Sequence, residues 1–243
     1  MDTEIKINIA GDFERSREIL RLPKGKPRRV RFLEITSGHR SFVPLLDAGI
    51  ILRLRSEKNS DESNVKLRPC VPDQLVGRWT ANFHIDPDFS YKVEGDWSGA
   101  NHVLAASAVA KLQPGLADRV ADGNADPTTV FGDIQRQFLA QCGEIPDALQ
   151  QELTVLGAIE ATKWRDVPLE GFDVGDVNAE RWIVNGFDFL ELSIRVADGN
   201  DPEPVQRNFE AAVGGTGLSI SDVRESKTRI ILESLAESAS RVH

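Results

Sequence analysis

The chain has 243 residues, of which 40% are hydrophobic, so it can form one large domain or two small ones around a packed core. A net charge of −9 excludes recruitment of nucleic acid by a general basic field, and local basic clusters therefore stand out. No apolar run is long enough to span a bilayer, and Cys70 and Cys142 lack metal-ligand spacing, so we expect a cytoplasmic protein with buried thiols.

Strands dominate the predictions for the first part of the chain. Strict alternation of isoleucine with polar residues predicts a strand over 3–9, and Asp12 is a candidate cap for a helix over 13–22. The basic run at 23–31 is interpreted as a solvated turn that leads into the next strand. Further strands are predicted over 29–36, 52–55, 65–68, 79–85 and 91–97.

Helices and strands alternate in the predictions for the second part of the chain. The final helix is predicted over 221–238, with Ser221 as its cap and Asp222 and Glu225 in its first turn. An alanine-rich composition predicts a helix over 101–112, and 118–126 is predicted to be a loop. Other helices are predicted over 130–141, 148–156 and 204–213. Other strands are predicted over 161–167, 177–184 and 187–196.

These elements predict an α+β fold in a single domain over 1–243. Short connections between strands, such as the hairpin turn indicated by Asn185-Gly186, imply a mainly antiparallel sheet. A sheet of about eight strands that closes on itself has no exposed edges. We therefore predict an eight-stranded antiparallel β-barrel, or tunnel, with a polar interior and helices packed outside.

The most informative segment is a pair of strands in which leucine or valine alternates with basic residues. Arg53 and Arg55 share one face of the first strand, and Lys66 and Arg68 share one face of the second. Four cations that converge on one surface suit a polyanion such as a phosphate chain. The alternative is a solvated hairpin edge on which basic residues prevent aggregation, and the segment alone does not decide between the two.

Several other predicted strands also have one apolar and one polar face. If the helices cover the apolar faces, the polar faces turn inward, where charges need water, one another or a charged ligand. Basic groups would bind phosphoryl oxygens, and carboxylates would hold a divalent cation. The predicted interior contains Glu4, Lys6, Arg53, Arg55, Lys66, Arg68, Lys92, Glu94, Asp96, Lys163, Arg165, Arg181, Glu191 and Arg195.

Six segments, taken in chain order, resemble the strands and the last helix of a known family. They are EIKINI, LLDAGIILRLR, VKLRP, TKWRDV, FLELSIRV and SKTRIILESL. The family is the CYTH superfamily, also called the triphosphate tunnel metalloenzymes, and the resemblance extends over most of the chain. It implies an eight-stranded tunnel that binds and hydrolyses an inorganic, nucleoside or other organic triphosphate with a divalent metal.

The resemblance and the polar faces together imply roles for individual residues. Glu4, Lys6 and Glu191 are the predicted catalytic residues. The predicted ligands of Mg²⁺ or Mn²⁺ are Glu4, Glu94, Asp96 and Glu191. The predicted phosphate-binding residues are Arg53, Arg55, Lys66, Arg68, Lys92, Lys163, Arg165 and Arg181. The expected partner is a small-molecule triphosphate or polyphosphate, with no membrane and no nucleic acid, and a homodimer is left open.

Two departures from the family pattern leave the activity open. Lys6 stands where the resemblance implies a second acid in the first strand, and Ser193 stands where it implies a second acid in the last strand. The loss of two carboxylates weakens the binding of a hard divalent cation. One alternative is a catalytically impaired protein that binds a phosphate ligand, with Lys6 replacing the charge of the metal. The other is an adenylyl cyclase, although nothing in the sequence marks an adenine pocket.

Overall fold

The computed structural model describes residues 1–35, 42–223 and 226–240. The chain divides into two compact units, each built from three segments. Unit 1 consists of Met1–Pro27, Glu94–Val103 and Glu160–Lys227, and unit 2 consists of Arg28–Val93, Leu104–Ile159 and Thr228–His243. The single domain over 1–243 stays a prediction.

The described residues form eleven strands and six α-helices. The strands are β1 (Thr3–Ala10), β2 (Lys26–Glu34), β3 (Ile50–Glu57), β4 (Ser60–Cys70), β5 (Phe83–Ile85), β6 (Phe89–Ser98), β7 (Asn101–Leu112), β8 (Thr154–Trp164), β9 (Asn178–Val184), β10 (Phe187–Val196) and β11 (Ser219–Ile220). The helices are α1 (Phe13–Ile19), α2 (Pro44–Asp47), α3 (Leu116–Ala121), α4 (Asp133–Cys142), α5 (Pro202–Gly215) and α6 (Lys227–Ser240). None of these helices combines the length and the apolar character that a bilayer span requires.

The strands join in one hydrogen-bonded order, β11-β1-β10-β9-β8-β2-β3-β4-β7-β6-β5, and β1 also pairs with β6. Because of this extra pairing, the order returns to β1 after nine strands, which is the pattern of a closed sheet. The α+β prediction is confirmed, and the structure differs from the predicted eight-stranded antiparallel barrel in two details. Nine strands take part in the closed order, and β1 and β6 run parallel, with Thr3 opposite Gly95.

Unit 2 has a core of alternate strand residues and one face of α4. Leu52 and Leu54 of β3 and Val65 of β4 are at most 1% exposed. An aromatic cluster packs beside them, in which the ring of Trp79 lies 5.0 Å from that of Phe138 and 5.1 Å from that of Tyr91. The alternation therefore leaves the other face of β3 and β4 to polar residues.

Unit 1 has its own core on the isoleucine face of β1. Ile5 and Ile7 are buried with Leu192 of β10 and with Phe209 of α5. The predicted cap of the first helix is confirmed, since Asp12 accepts a hydrogen bond of 3.0 Å from the backbone N–H of Arg15. In this unit too, the opposite face of the strands carries the polar residues.

The prediction of a helix over 101–112 was wrong, because this stretch forms β7. Alanine favours a helix in isolation, but here Ala106 and Ala108 are completely buried opposite Leu67 and Val65 of β4. Their small side chains let α4 approach the sheet closely, and the side-chain amide of Gln135 donates a 2.9 Å hydrogen bond to the carbonyl of Ala108. Tertiary packing thus overrides helix propensity here.

Three other boundaries differ from the predictions. The stretch predicted as a helix over 148–156 contains a single 3₁₀ turn, Ala148–Gln150, and the start of β8, whereas the predicted loop over 118–126 includes most of α3. The last helix begins at Lys227 and not at the predicted Ser221, whose backbone N–H donates a hydrogen bond to the carbonyl of Asn8. The hairpin turn at Asn185-Gly186 is confirmed, with both residues at positive φ. Thr36 and Glu225, which belonged to predicted elements, lie outside the described residues.

Candidate functional site

A basic surface lies on the polar face of β3 and β4 in unit 2. In an antiparallel pair, residues directly opposite each other point to the same face. Arg53 is opposite Asn64, and Lys66 is opposite Ile51, so the two cations share this face with Arg55. All three basic side chains are half-buried, as is Arg68 two positions after Lys66. We call this surface, formed by Arg53, Arg55, Asn64, Lys66 and Arg68, the basic face.

Lys92 lies on the corresponding side of β6. Its neighbours Tyr91 and Val93 are both buried in the core of unit 2, so alternation directs Lys92 away from that core. Lys92 itself is exposed. The structure therefore places all five predicted phosphate-binding residues of unit 2 on the side of their strands that faces away from the core.

Basic side chains outnumber the acidic ones that are paired with them in two ion pairs on this side of the sheet. A guanidinium nitrogen of Arg55 lies 2.6 Å from Glu62, and that of Arg28 lies 2.7 Å from Glu57. Arg53, Lys66 and Arg68 add three further cations. A cluster of half-buried guanidinium and ammonium groups on one strand face is suited to an anionic ligand.

Some buried polar atoms of the basic face make no hydrogen bond within the described part of the chain. Among them are the Nε of Arg55 and the side-chain oxygen of Asn64, whose residue is only 4% exposed. Buried polar groups are nearly always hydrogen-bonded, so such atoms indicate a missing partner. A phosphoryl oxygen would accept from Arg55, and a flip of the Asn64 amide would present its NH₂ in place of the oxygen.

The basic run at 23–31 is less solvated than predicted. Arg28 and Arg31 are 8% and 6% exposed. Arg31 reaches Asp118 of α3 at 2.7 Å, on the core side of β2, where its charge serves the fold. The interpretation of these residues as solvated was therefore wrong for Arg28 and Arg31, because Arg28 pairs with Glu57 of β3 and Arg31 with Asp118 in a helix that the sequence did not predict.

Unit 1 contains the predicted catalytic residue Lys6 between two acids. The Nζ of Lys6 lies 3.0 Å from Glu4 and 2.9 Å from Asp96. Glu4 and Asp96 are directly opposite each other on β1 and β6, and Asp96 is only 3% exposed. An ammonium group has three donors, so it can bridge the two carboxylates in this way.

The two other predicted metal ligands are also bonded to cations. Arg195 of β10 donates a 2.9 Å hydrogen bond to Glu94. Burial of Arg195 lowers its pKa, but the carboxylates of Glu94 and Glu4 outweigh burial, so the pKa is raised. Glu191 lies 3.2 Å from the Nζ of Lys227, which is 6% exposed at the start of α6. Lys227 had no predicted role, since only the tertiary structure brings it to β10.

These four carboxylates do not fit a divalent cation. Each of them is within 3.2 Å of the nitrogen of a lysine or arginine side chain. Mg²⁺ and Mn²⁺ require several oxygen ligands that converge without a competing positive charge. Among the described residues there is no group of three or more acidic, histidine or cysteine side chains placed to hold a metal ion.

The three remaining predicted phosphate-binding residues have different surroundings. Lys163 is opposite Glu180 on β9, and Arg165 is exposed just beyond the end of β8. Arg181 lies on the other face of β9, where two guanidinium nitrogens contact Asp188 at 2.7 and 2.6 Å and the group stacks over Phe13. The prediction that Arg181 belongs to the polar face is corrected, because neighbouring residues on a strand point in opposite directions.

Comparison with known proteins gives matches to solved structures. No family model and no curated protein matches the chain. A Hippeastrum protein, described as revealing a dominant triphosphatase activity, superposes with a TM-score of 0.62 and 14% identity over 96% of each chain. A Bacillus halodurans protein with the provisional name adenylate cyclase gives 0.57 and 13%, over 94% of this chain and 96% of that one. This chain has the fold of these proteins.

A third structure, from Pyrococcus horikoshii, gives a TM-score of 0.50 and 13% identity, over 96% of this chain and 99% of that one. The likeness to these structures is a likeness of fold, and the predicted resemblance is confirmed at that level. Identities of this size carry no site residue from one chain to the other. The chemistry of this chain must therefore be argued from its own side chains.

Proposed function

We propose that this protein binds the triphosphate group of a small molecule through the basic face of unit 2 and hydrolyses its terminal phosphoanhydride bond. The observation that carries the proposal is the pair of buried, unsatisfied polar atoms of Arg55 and Asn64 on a strand face that also presents Arg53 and Lys66. A chain of phosphates supplies acceptors and negative charge to such a surface. The triphosphatase activity described for the Hippeastrum protein supports the same choice of ligand.

The basic face would act on the ligand by positioning and by electrostatic stabilisation. Arg53 and Arg55 are two positions apart on β3, so their guanidinium groups can bind successive phosphates along the strand. Lys66 on the adjacent strand adds a point charge. In phosphoryl transfer, charge spreads over the oxygens of the transferred group as water attacks, and fixed cations stabilise that charge.

The test is a phosphate-release assay on tripolyphosphate and on ATP, each with and without Mg²⁺ and Mn²⁺. We expect release of inorganic phosphate from at least one of these compounds, and binding of tripolyphosphate in a calorimetric titration. The matched control is inorganic sulfate, a smaller anion that should bind far more weakly. Failure to bind tripolyphosphate or ATP under any of these conditions would rule out the proposed function.

A second candidate is binding of the same ligand without turnover. The observation that favours it is the pairing of Glu4, Glu94, Asp96 and Glu191 with cations, since these are the residues predicted to hold a catalytic metal. Tripolyphosphate binding without phosphate release would select this candidate. An adenylyl cyclase ranks last, and a test for cyclic AMP among the products of ATP decides it.

We also propose a reducing compartment, such as the cytoplasm, as the location of the protein. Cys70 and Cys142 are both free thiols, and both are buried. Burial raises the pKa of Cys70 to about 11 and also raises that of Cys142, so neither is a reactive thiolate. The homodimer stays a prediction.

A further inference from the structure

We propose that the ammonium group of Lys6 occupies, in unit 1, the position of a divalent cation, so that this protein binds triphosphate compounds without a metal ion. The inference rests on the proposed function for the identity of the ligand. Its basis in unit 1 is independent of that ligand and consists of the ion pairs of Lys6, Arg195 and Lys227.

The position of Lys6 is the first step. Its Nζ bridges Glu4 and Asp96, which are opposite each other on adjacent strands. Both carboxylates are thereby bonded to one compact, positively charged group. A metal ion that bound these two acids would have to displace the ammonium group or lie beside it, and two positive ions at that distance repel each other strongly.

The burial of the bridge is the second step. The side chains of Lys6 and Asp96 are only 13% and 3% exposed. Screening by water and salt is weak at this depth. A buried lysine that lost its carboxylate partners would be an uncompensated charge, which is strongly destabilising. The ammonium group is therefore a fixed part of the cluster.

The balance of charge in the cluster is the third step. The carboxylates of Glu4, Glu94, Asp96 and Glu191 are bonded to three cations, which are Lys6, Arg195 and Lys227. The net charge of this set is −1, and it becomes −2 if Asp2, whose more exposed carboxylate lies 3.8 Å from Arg195, is included. The affinity of an oxygen site for a divalent cation depends on the number of charged ligands that it supplies. A set with almost no excess negative charge provides little attraction for Mg²⁺ or Mn²⁺.

The same balance predicts how the cluster can be changed into a metal site. Lys6→Glu removes one cation and adds one carboxylate, so the net charge of the set becomes −3. The new carboxylate would extend from β1 beside Glu4 and Asp96. Lys6→Gln removes the positive charge without adding an acid and should have a smaller effect in the same direction.

The first experiment titrates Mn²⁺ into the unmodified protein and into both variants, with bound Mn²⁺ measured by electron paramagnetic resonance. We expect no binding to the unmodified protein below millimolar Mn²⁺, and an affinity at least tenfold higher for Lys6→Glu. Lys24→Glu is the matched control, because Lys24 is exposed in the same unit and the change in net charge is identical. Thermal unfolding of each variant checks that the fold is kept.

The second experiment titrates tripolyphosphate into the unmodified protein by calorimetry, in EDTA and in excess Mg²⁺. The inference predicts binding in EDTA that is at least as tight as binding in excess Mg²⁺, because the fixed cations bind the free anion and Mg²⁺ in solution competes with them for its oxygens. Binding that requires Mg²⁺ would overturn the inference and leave the proposed function intact. Absence of binding in both solutions would overturn the proposed function, and with it metal-free binding.

Tight binding of Mn²⁺ by the unmodified protein would refute the role of Lys6 without any variant. The same conclusion would follow if a correctly folded Lys6→Glu bound Mn²⁺ no better than Lys24→Glu. The Mn²⁺ titration therefore tests whether Lys6 takes the place of a metal ion, even if the natural ligand is not a triphosphate.

Discussion

Replacement of Arg53 and Lys66 together by methionine should weaken the binding of tripolyphosphate by about two orders of magnitude or more. Hydrogen bonds to charged groups contribute about 1.5–3 kcal/mol each, and 1.4 kcal/mol corresponds to a factor of ten in affinity. Methionine keeps much of the length of the side chain and its packing along the strand, so the change isolates the charge. Calorimetric titration of tripolyphosphate in EDTA measures the effect.

A double replacement of two other cations of unit 2 is the control for this experiment. Arg119 on α3 and Lys58 in the turn between β3 and β4 are both exposed, so their replacement by methionine causes the same change in net charge. We expect a less than threefold effect, because exposed charges are screened by salt. Equal losses in the two double variants would show that general charge attraction, and not the basic face, binds the ligand.

Glu34 should make the free energy of unfolding fall by about 3 kcal/mol as the pH rises from about 4.5 to about 7. This side chain is 1% exposed and accepts hydrogen bonds of 2.9–3.0 Å from the backbone N–H groups of Ile35, Leu45 and Leu46. Burial opposes ionisation more strongly than these bonds favour it, so the pKa of Glu34 is raised to about 7.

The direction of this change in stability with pH follows from the proton that Glu34 holds in the folded state. Between pH 4.5 and pH 7 the carboxyl of Glu34 is protonated in the folded state and ionised in the unfolded state. The folded state therefore binds more protons, and a rise in pH favours unfolding until the group is ionised in both states. The contribution is complete below pH 4.5 and is lost as the pH passes through 7.

Comparison with Glu34→Gln isolates this contribution, because glutamine has the same shape and does not titrate. Urea unfolding at several pH values should give two stability curves that diverge toward acid, with the unmodified protein gaining about 3 kcal/mol relative to the variant. Glu152→Gln is the control, since Glu152 is exposed in the same unit and should give a parallel curve. Parallel curves for Glu34→Gln would contradict the raised pKa.

Alternation of residue types was sufficient to predict several strands of the closed sheet. The period of two is strict in β1, over 52–57 of β3 and over 190–196 of β10, where a shift by one residue would exchange the inner and the outer face. The same period is sufficient to assign Arg53 and Arg55 to one face of their strand, and Lys66 and Arg68 to one face of theirs. The prediction is local, because each side chain alternates with its immediate neighbours.

Alternation failed where residue type and tertiary environment disagree. β7 contains four alanines, which favour a helix in a free peptide, yet it is a strand between β4 and β6. The small side chains are needed there because α4 packs against that part of the sheet through Gln135 and Phe138. Arg181 shows the same limit, since its distance from Lys163 in the sequence does not reveal that the two lie on opposite faces.

The amino-acid sequence by itself determined which residues share a face of a strand, because a strand turns each side chain away from its neighbour. Only the tertiary structure decided which charges meet. Lys6 reaches Asp96 through the parallel pairing of β1 with β6, and Lys227 reaches Glu191 because α6 begins beside β10. These pairs are far apart in the chain, and the energy of two charges depends on their distance in space and on their burial. The same four acids therefore looked like metal ligands in the sequence and are the partners of lysine and arginine in the folded protein.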